Sequence, residues 1–314
     1  MTEQQRKLAV SIDDDSINMA WVAEGNRLGP TEKWPIADFR TLTDALLAYE
    51  KKAGVRLLGA NCALGVLGAT HGETIMLARC NWAISRSGLR SMFGRDAIVI
   101  NDVAARAWAA LGGIGARMEG LAATTGSLPD FNRRGRWALT KVDAGVGLAV
   151  IDVDDTGGVR VLECEMGHCG FAPATEEDRA LAVALAGRGQ GLVSWEMALT
   201  LSPDDPIWSS PGLPAARPQR IAMIARLIGR YVGDTVLAHG AWAGAILTGG
   251  RIGELLAESA LPAFNVGFEN KTKFPRLMRG ASRWRLTGQE LTLSGCAVAL
   301  NRHATIEAGE GRAA

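Results

Sequence analysis

Two stretches of this 314-residue chain open in the same way, and a fold must accommodate both. Leu8 to Ile12 and Asn18 to Val22 are apolar runs on either side of Asp13-Asp14-Asp15-Ser16. Trp137 to Val142 and Val146 to Val153 flank Asp143-Ala144-Gly145. Both pairs have strand composition around a polar turn, which predicts two β-hairpins. Each is followed by alternating helix and strand patterns. That order predicts an α/β protein of two halves, each opening on a hairpin, with an interdomain cleft. The length fits two domains, each able to bury its own core.

In the first half, Leu42, Ala45, Leu46 and Tyr49 share one helical face, and Gly54 stops that helix. Residues 55–67 have strand composition. Ser85 to Phe93 reads as a short helix stopped by Gly94. Ala97 to Ile100 is a compact strand with Asn101-Asp102 at its C-terminal end, and a helix is predicted over 103–111. Residues 112–136 read as a loop. In the second half a third strand is predicted over 159–163, helices over 176–186, 192–201 and 219–238, a strand over 244–247 and a helix over 252–259. A last helix is predicted over about 290–307, followed by a frayed tail. Residues 203–218 hold five of the eleven prolines and read as a rigid surface loop. The domains expected are 1–103 with 290–310, smaller, and 104–289, larger.

Lys and Arg number 34 against 33 Asp and Glu, so nothing in the charge suggests a nucleic-acid partner. A 47% hydrophobic share excludes a disordered chain. The N-terminus lacks a basic start and apolar run, and the most apolar stretches are too short to span a bilayer, so a cytoplasmic protein is expected. Five cysteines without a C-x-x-C pair argue against a disulfide scaffold. Cys164, His168 and Cys169 have no second cluster to complete a zinc site, so they read as structural thiols and an ordinary histidine.

Seven segments, in order, resemble the bacterial glucokinase family of the hexokinase/actin-like ATPase superfamily. They are N-W-A-I-S at 81–85, I-V-I-N-D at 98–102, E-M-G-H-C-G-F-A-P at 165–173, V-S-W-E at 193–196, I-L-T-G-G at 246–250, F-E-N-K-T-K-F at 268–274 and L-S-G-C-A at 293–297. The resemblance implies an actin-like/hexokinase-type α/β fold with ribonuclease-H-like halves. It implies Asp102 as the base that takes the proton of the sugar 6-hydroxyl, and Asn101, Glu165, His168 and Glu196 as ligands of the sugar hydroxyls. Each hydroxyl both donates and accepts, so a ring of carboxylate, amide and imidazole groups suits a sugar. Taken singly, Asn101-Asp102 is an ordinary helix cap, Glu165 and Glu196 are surface charges, and His168 is a packed or solvated histidine.

The nucleotide side departs from the family. Where D-x-G-G-T-N would stand, the chain has Ser11-Ile12-Asp13-Asp14-Asp15-Ser16. Where G-T-G-x-G would stand, it has Asp143-Ala144-Gly145-Val146-Gly147. Gly145, Gly147, Gly249 and Gly250 are kept as nucleotide-side residues. Two unit charges about 4 Å apart repel by ~4 kcal/mol at an effective dielectric of 20, so carboxylates facing a triphosphate would suppress its binding. Asp13, Asp14 and Asp15 can be read as a solvated turn, as an altered Mg²⁺–nucleotide site or as a dedicated cation site. Three functions follow: a glucokinase using ATP and Mg²⁺ on glucose or a related hexose, a degenerate sugar-binding sensor or regulatory pseudokinase, and a kinase with another sugar or phosphoryl donor. Relatives are often dimers, and the balanced charge allows a homodimer.

Overall fold

The computed structural model describes residues 6–121, 127–189, 191–256 and 259–310. The chain forms two compact units, Met1–Arg117 with Gly288–Ala314, and Met118–Thr287.

The first unit is a five-stranded sheet. β1 (Lys7–Ile12) and β2 (Ser16–Trp21) form the predicted hairpin, and β3 (Glu32–Pro35) extends it at the edge. β4 (Asn61–Val66) runs parallel to β1; β5 (Thr74–Met76) and β6 (Ala83–Ser85) form a separate small hairpin; β7 (Ile98–Asn101) runs parallel to β4. The spatial order is β3-β2-β1-β4-β7. Residue size alternates along β1, which explains its two faces. Leu8, Val10 and Ile12 join Leu46, Leu64 and Phe93 in one core, with α1 (Leu42–Ala53) and α2 (Arg86–Phe93). Ala9 lies on the opposite face with Ala63, Ala105, Cys296 and Ala297.

That small-residue face receives α3 (Asp102–Ala110) and the C-terminal helix, Leu291–Glu310. A Cβ on Gly295 would stand 1.7 Å from the carbonyl oxygen of Ala105. The glycine of L-S-G-C-A is therefore demanded by the close approach of two helix backbones.

The second unit is built on a six-stranded sheet. β8 (Arg117–Gly120) begins at the unit boundary; β9 (Gly135–Val142) and β10 (Val146–Val153) are the second predicted hairpin, and β11 (Val159–Cys164) pairs with β10. β12 (Gly244–Thr248) lies parallel to β9 and to β13 (Arg283–Thr287). The order is β11-β10-β9-β12-β13-β8. Its main core gathers residues of α4 (Glu176–Ala186), α5 (Trp195–Leu199), α6 (Arg217–His239), α7 (Gly250–Leu255), α8 (Leu261–Glu269) and α9 (Pro275–Gly280). With these labels fixed, the C-terminal helix Leu291–Glu310 is α10.

Several expectations need correction. The stretch 112–136 is not loop throughout, because β8 supplies an edge strand. The proline-rich 203–218 is not simply a surface loop: its Pro206–Ser209 turn buries Ile207 and Trp208 in the main core. The strand expected over 55–67 is confined to Asn61–Val66, and the helix expected over 192–201 to Trp195–Leu199. The frayed tail falls in part on residues 311–314, outside the described residues. All five cysteines are free thiols. Among the described residues, no helix is long and apolar enough to cross a membrane.

Candidate functional site

In the first unit the site begins where β7 ends. Asn101 has extended geometry and caps α3, its Oδ1 accepting the N–H of Ala104 at 2.6 Å. Asp102 is the first helical residue, and both side chains are buried. The cap reading of Asn101 therefore holds, and it has a consequence. With the carboxamide oxygen engaged, the NH2 end is the one suited to a sugar oxygen.

The β1–β2 turn sends its three aspartates in different directions. Asp13 is half-buried and accepts from Asn18 Nδ2 at 2.8 Å; the same amide donates to Ser11 Oγ at 3.1 Å. Asp14 is exposed and pairs with Arg79 at 3.3 Å. Asp15 is exposed, and its carbonyl accepts the N–H of Ile36 at 2.9 Å. Asp13 and Asn18 line a recess of about 260 Å³ together with Ser11, Lys33, Arg106 and Thr292. Among the described residues no three His, Cys, Asp or Glu side chains are grouped to hold a metal ion. The three carboxylates of this turn are therefore not gathered into one cluster.

In the second unit three segments converge. The turn between β9 and β10 carries Gly145, with Gly147 at the start of β10; the short turn Met166–His168 carries the histidine, and α5 opens at Ser194. The N–H of Trp195 donates to Cys169 O at 3.0 Å, and that of Phe171 to Val193 O at 2.7 Å, which sews residues 169–171 to the start of α5. A Cβ on Gly167 would lie 2.4 Å from the Val146 carbonyl, so the glycine of E-M-G-H lets this loop sit against the β9–β10 turn. Glu196 reaches the same turn: its Oε2 accepts the N–H of Val146 at 2.8 Å. Glu165 and His168 are more exposed, with Oε2 and Nε2 3.7 Å apart. The three sugar-ligand candidates of this unit therefore lie on neighbouring segments.

The Gly249-Gly250 pair, expected from the sequence on the nucleotide side, meets Asp143. Asp143 Oδ1 accepts the N–H of Gly250, and Lys141 Nζ lies 3.7 Å from Asp143 Oδ2. Gly249 has φ +116°, and a Cβ there would stand 2.3 Å from the Val142 carbonyl, so no other residue fits. The sequence marks Asp143 as a lost glycine; its capture of the Gly250 amide depends on two segments 107 residues apart.

Comparison with known proteins identifies the family. The family described as Glucokinase matches residues 16–201 and 214–303, well over half of the chain. The chain belongs to the glucokinase family. A glucokinase of Xanthomonas oryzae pv. oryzae (strain MAFF 311018) is 26% identical over 269 residues, 79% of each protein. The crystal structure of a glucokinase from an Antarctic psychrotroph superposes with a TM-score of 0.75 at 20% identity, over 95% of this chain and 99% of that one. A ROK family glucokinase from Streptomyces griseus, solved in complex with glucose and AMPPNP, gives 0.55 at 16% identity, over 93% and 98%. These neighbours share the two-domain hexokinase-type fold.

The structure gives some motif residues plain packing roles. Lys271 of F-E-N-K-T-K-F is buried, bonded to Asp234 at 2.6 Å and to the Arg230 carbonyl at 3.0 Å. Burial pushes its amine down, and the bond to Asp234 opposes that. Within that motif Phe268 is core.

Proposed function

We propose that the chain is a glucokinase-like sugar kinase that moves the γ-phosphoryl of ATP to O6 of glucose or a related hexose. The observation that carries the proposal is the buried Asp102 at the first position of α3, directly after the end of β7 and beside the Asn101 cap. A carboxylate on rigid elements suits a general base. In the reaction Asp102 accepts the O6 proton as O6 attacks the γ-phosphorus. The bond from that phosphorus to the bridging oxygen breaks, and ADP leaves. The Asn101 NH2 group, Glu165, His168 and Glu196 hold the other hydroxyls and fix the ring's orientation. The Asp102→Asn variant tests this by binding glucose while losing turnover. Unchanged turnover would remove Asp102 from the mechanism.

A second reading has its own support. Asp143 presents a carboxylate to the Gly250 amide, on a turn where the resembled family pattern has glycine. That charge disfavours a triphosphate. It supports a pseudokinase that binds a hexose and acts as a sensor. Calorimetry with Mg·ATP, with and without glucose, separates the two: micromolar nucleotide binding excludes the pseudokinase, and no heat at millimolar nucleotide excludes the ATP-dependent kinase.

A further inference from the structure

Tyr231 lies on α6, beneath the segments that carry the sugar-ligand candidates. Its side chain is fully buried, and among the described residues its hydroxyl has no hydrogen-bond partner. A buried hydroxyl is normally bonded, because leaving it unpaired forfeits what water would have supplied. The ring is held firmly. It packs edge-on against Trp195 with centroids 5.5 Å apart, and Trp195 packs the same way on Phe171 at 5.0 Å. Trp195 directly precedes Glu196, and its N–H is bonded to Cys169 of the histidine loop. The tyrosine is therefore wedged against the two segments that position Glu165, His168 and Glu196. Burial, then Cys169, Cys164, Glu165 and Glu196 around it, push its phenol well above the usual range, so it stays a protonated donor. Around it the ionised groups that can accept are the two carboxylates. Glu196 is already bonded to the Val146 amide, whereas the Glu165 carboxylate, half-exposed, lies 3.7 Å from His168 Nε2.

We infer that Tyr231 is a positioning residue for the sugar site, its hydroxyl donating to the Glu165 carboxylate when a hexose draws the 165–169 loop into its bound arrangement. The inference rests on the sugar-site reading above. In the sugar-free protein the hydroxyl is an unpaid cost, and binding is what supplies its partner. Opposite effects on stability and affinity follow, which a purely structural tyrosine would not give.

The test is Tyr231→Phe, which removes the hydroxyl and keeps the ring, so folding is preserved. Thermal unfolding without sugar and glucose calorimetry are measured on wild type, Y231F, E165A and the double variant. The expected result is an equal or higher Tm for Y231F, with glucose affinity about tenfold weaker. The double variant should bind about as weakly as E165A alone, because the two changes break one bond. A lower Tm in Y231F with unchanged affinity means a structural hydroxyl and overturns the inference, as do additive losses in the double variant. A wild-type protein that binds no hexose overturns the sugar-site reading itself, a different result from a wild type that binds and a Y231F that binds equally well.

Discussion

Asp143 Oδ1 accepts the backbone N–H of Gly250, so a carboxylate of the β9–β10 turn occupies an amide of the Gly249-Gly250 pair. Asp143→Gly removes one negative charge and releases that amide. Nucleotide affinity should rise tenfold or more, since a like charge about 4 Å away costs up to ~4 kcal/mol at an effective dielectric of 20. Calorimetry with Mg·ATP reads it, and identical isotherms for the two proteins would show that Asp143 does not compete.

Asp102 and its cap separate chemistry from scaffold. Asp102→Asn should lower kcat by about 10²–10⁴ and leave glucose binding nearly unchanged. Asn101→Ala should cost about 1 kcal/mol of stability through the lost bond to Ala104, and should weaken the sugar as well. Steady-state kinetics with chemical denaturation distinguish the two variants.

Asp178 is a heavily bonded carboxylate between α4 and α6. It completes the capping box of α4 and takes Arg226 at 2.6 Å and Arg230 at 3.2 Å from α6, with its side chain fully buried. Burial pushes its carboxyl up, but the Arg226 bond and the Ala174 amide outweigh burial and hold it below the usual range. A depressed folded value means stabilisation present above the unfolded pKa of about 3.9 and lost as pH falls through the folded one. Asp178→Asn should cost about 3–5 kcal/mol near neutrality. Denaturation midpoints measured against pH should show the gap between variant and wild type closing only in acid below about pH 4.

Thiol chemistry follows burial. Cys169 is exposed, whereas Cys62 and Cys296 are buried. Burial first, then the neighbouring Cys296, raises the Cys62 thiol, and burial with the Asp13 charge raises that of Cys296. A disulfide reagent should therefore label Cys169 rapidly in the native protein, and Cys62 and Cys296 only on unfolding. Rapid native labelling at Cys62 would show that the first unit opens readily.

The two hairpins and most helices were legible from the chain alone. Hairpins announce themselves by local alternation around a polar turn, and α1 by its 3.6-residue period and Gly54 stop. Elements too short or too polar for a periodic signal were missed, β8 among them, because an edge strand is made by its partner rather than by its own pattern. The same holds for Ile207 and Trp208, which sit among prolines yet are buried by α6 and its neighbours.

What the sequence by itself determined is the family, the α/β plan and the aspartates that stand in the two hairpin turns. Each of those is a property of residue order. Tertiary structure alone decided where those side chains went. Asp13 turned to Asn18, Asp14 to Arg79 and Asp143 to Gly250, while the Tyr231 hydroxyl was left without a partner among the described residues. A carboxylate finds whatever donor the fold brings within about 3 Å, and residues distant in sequence become neighbours only once the core has packed.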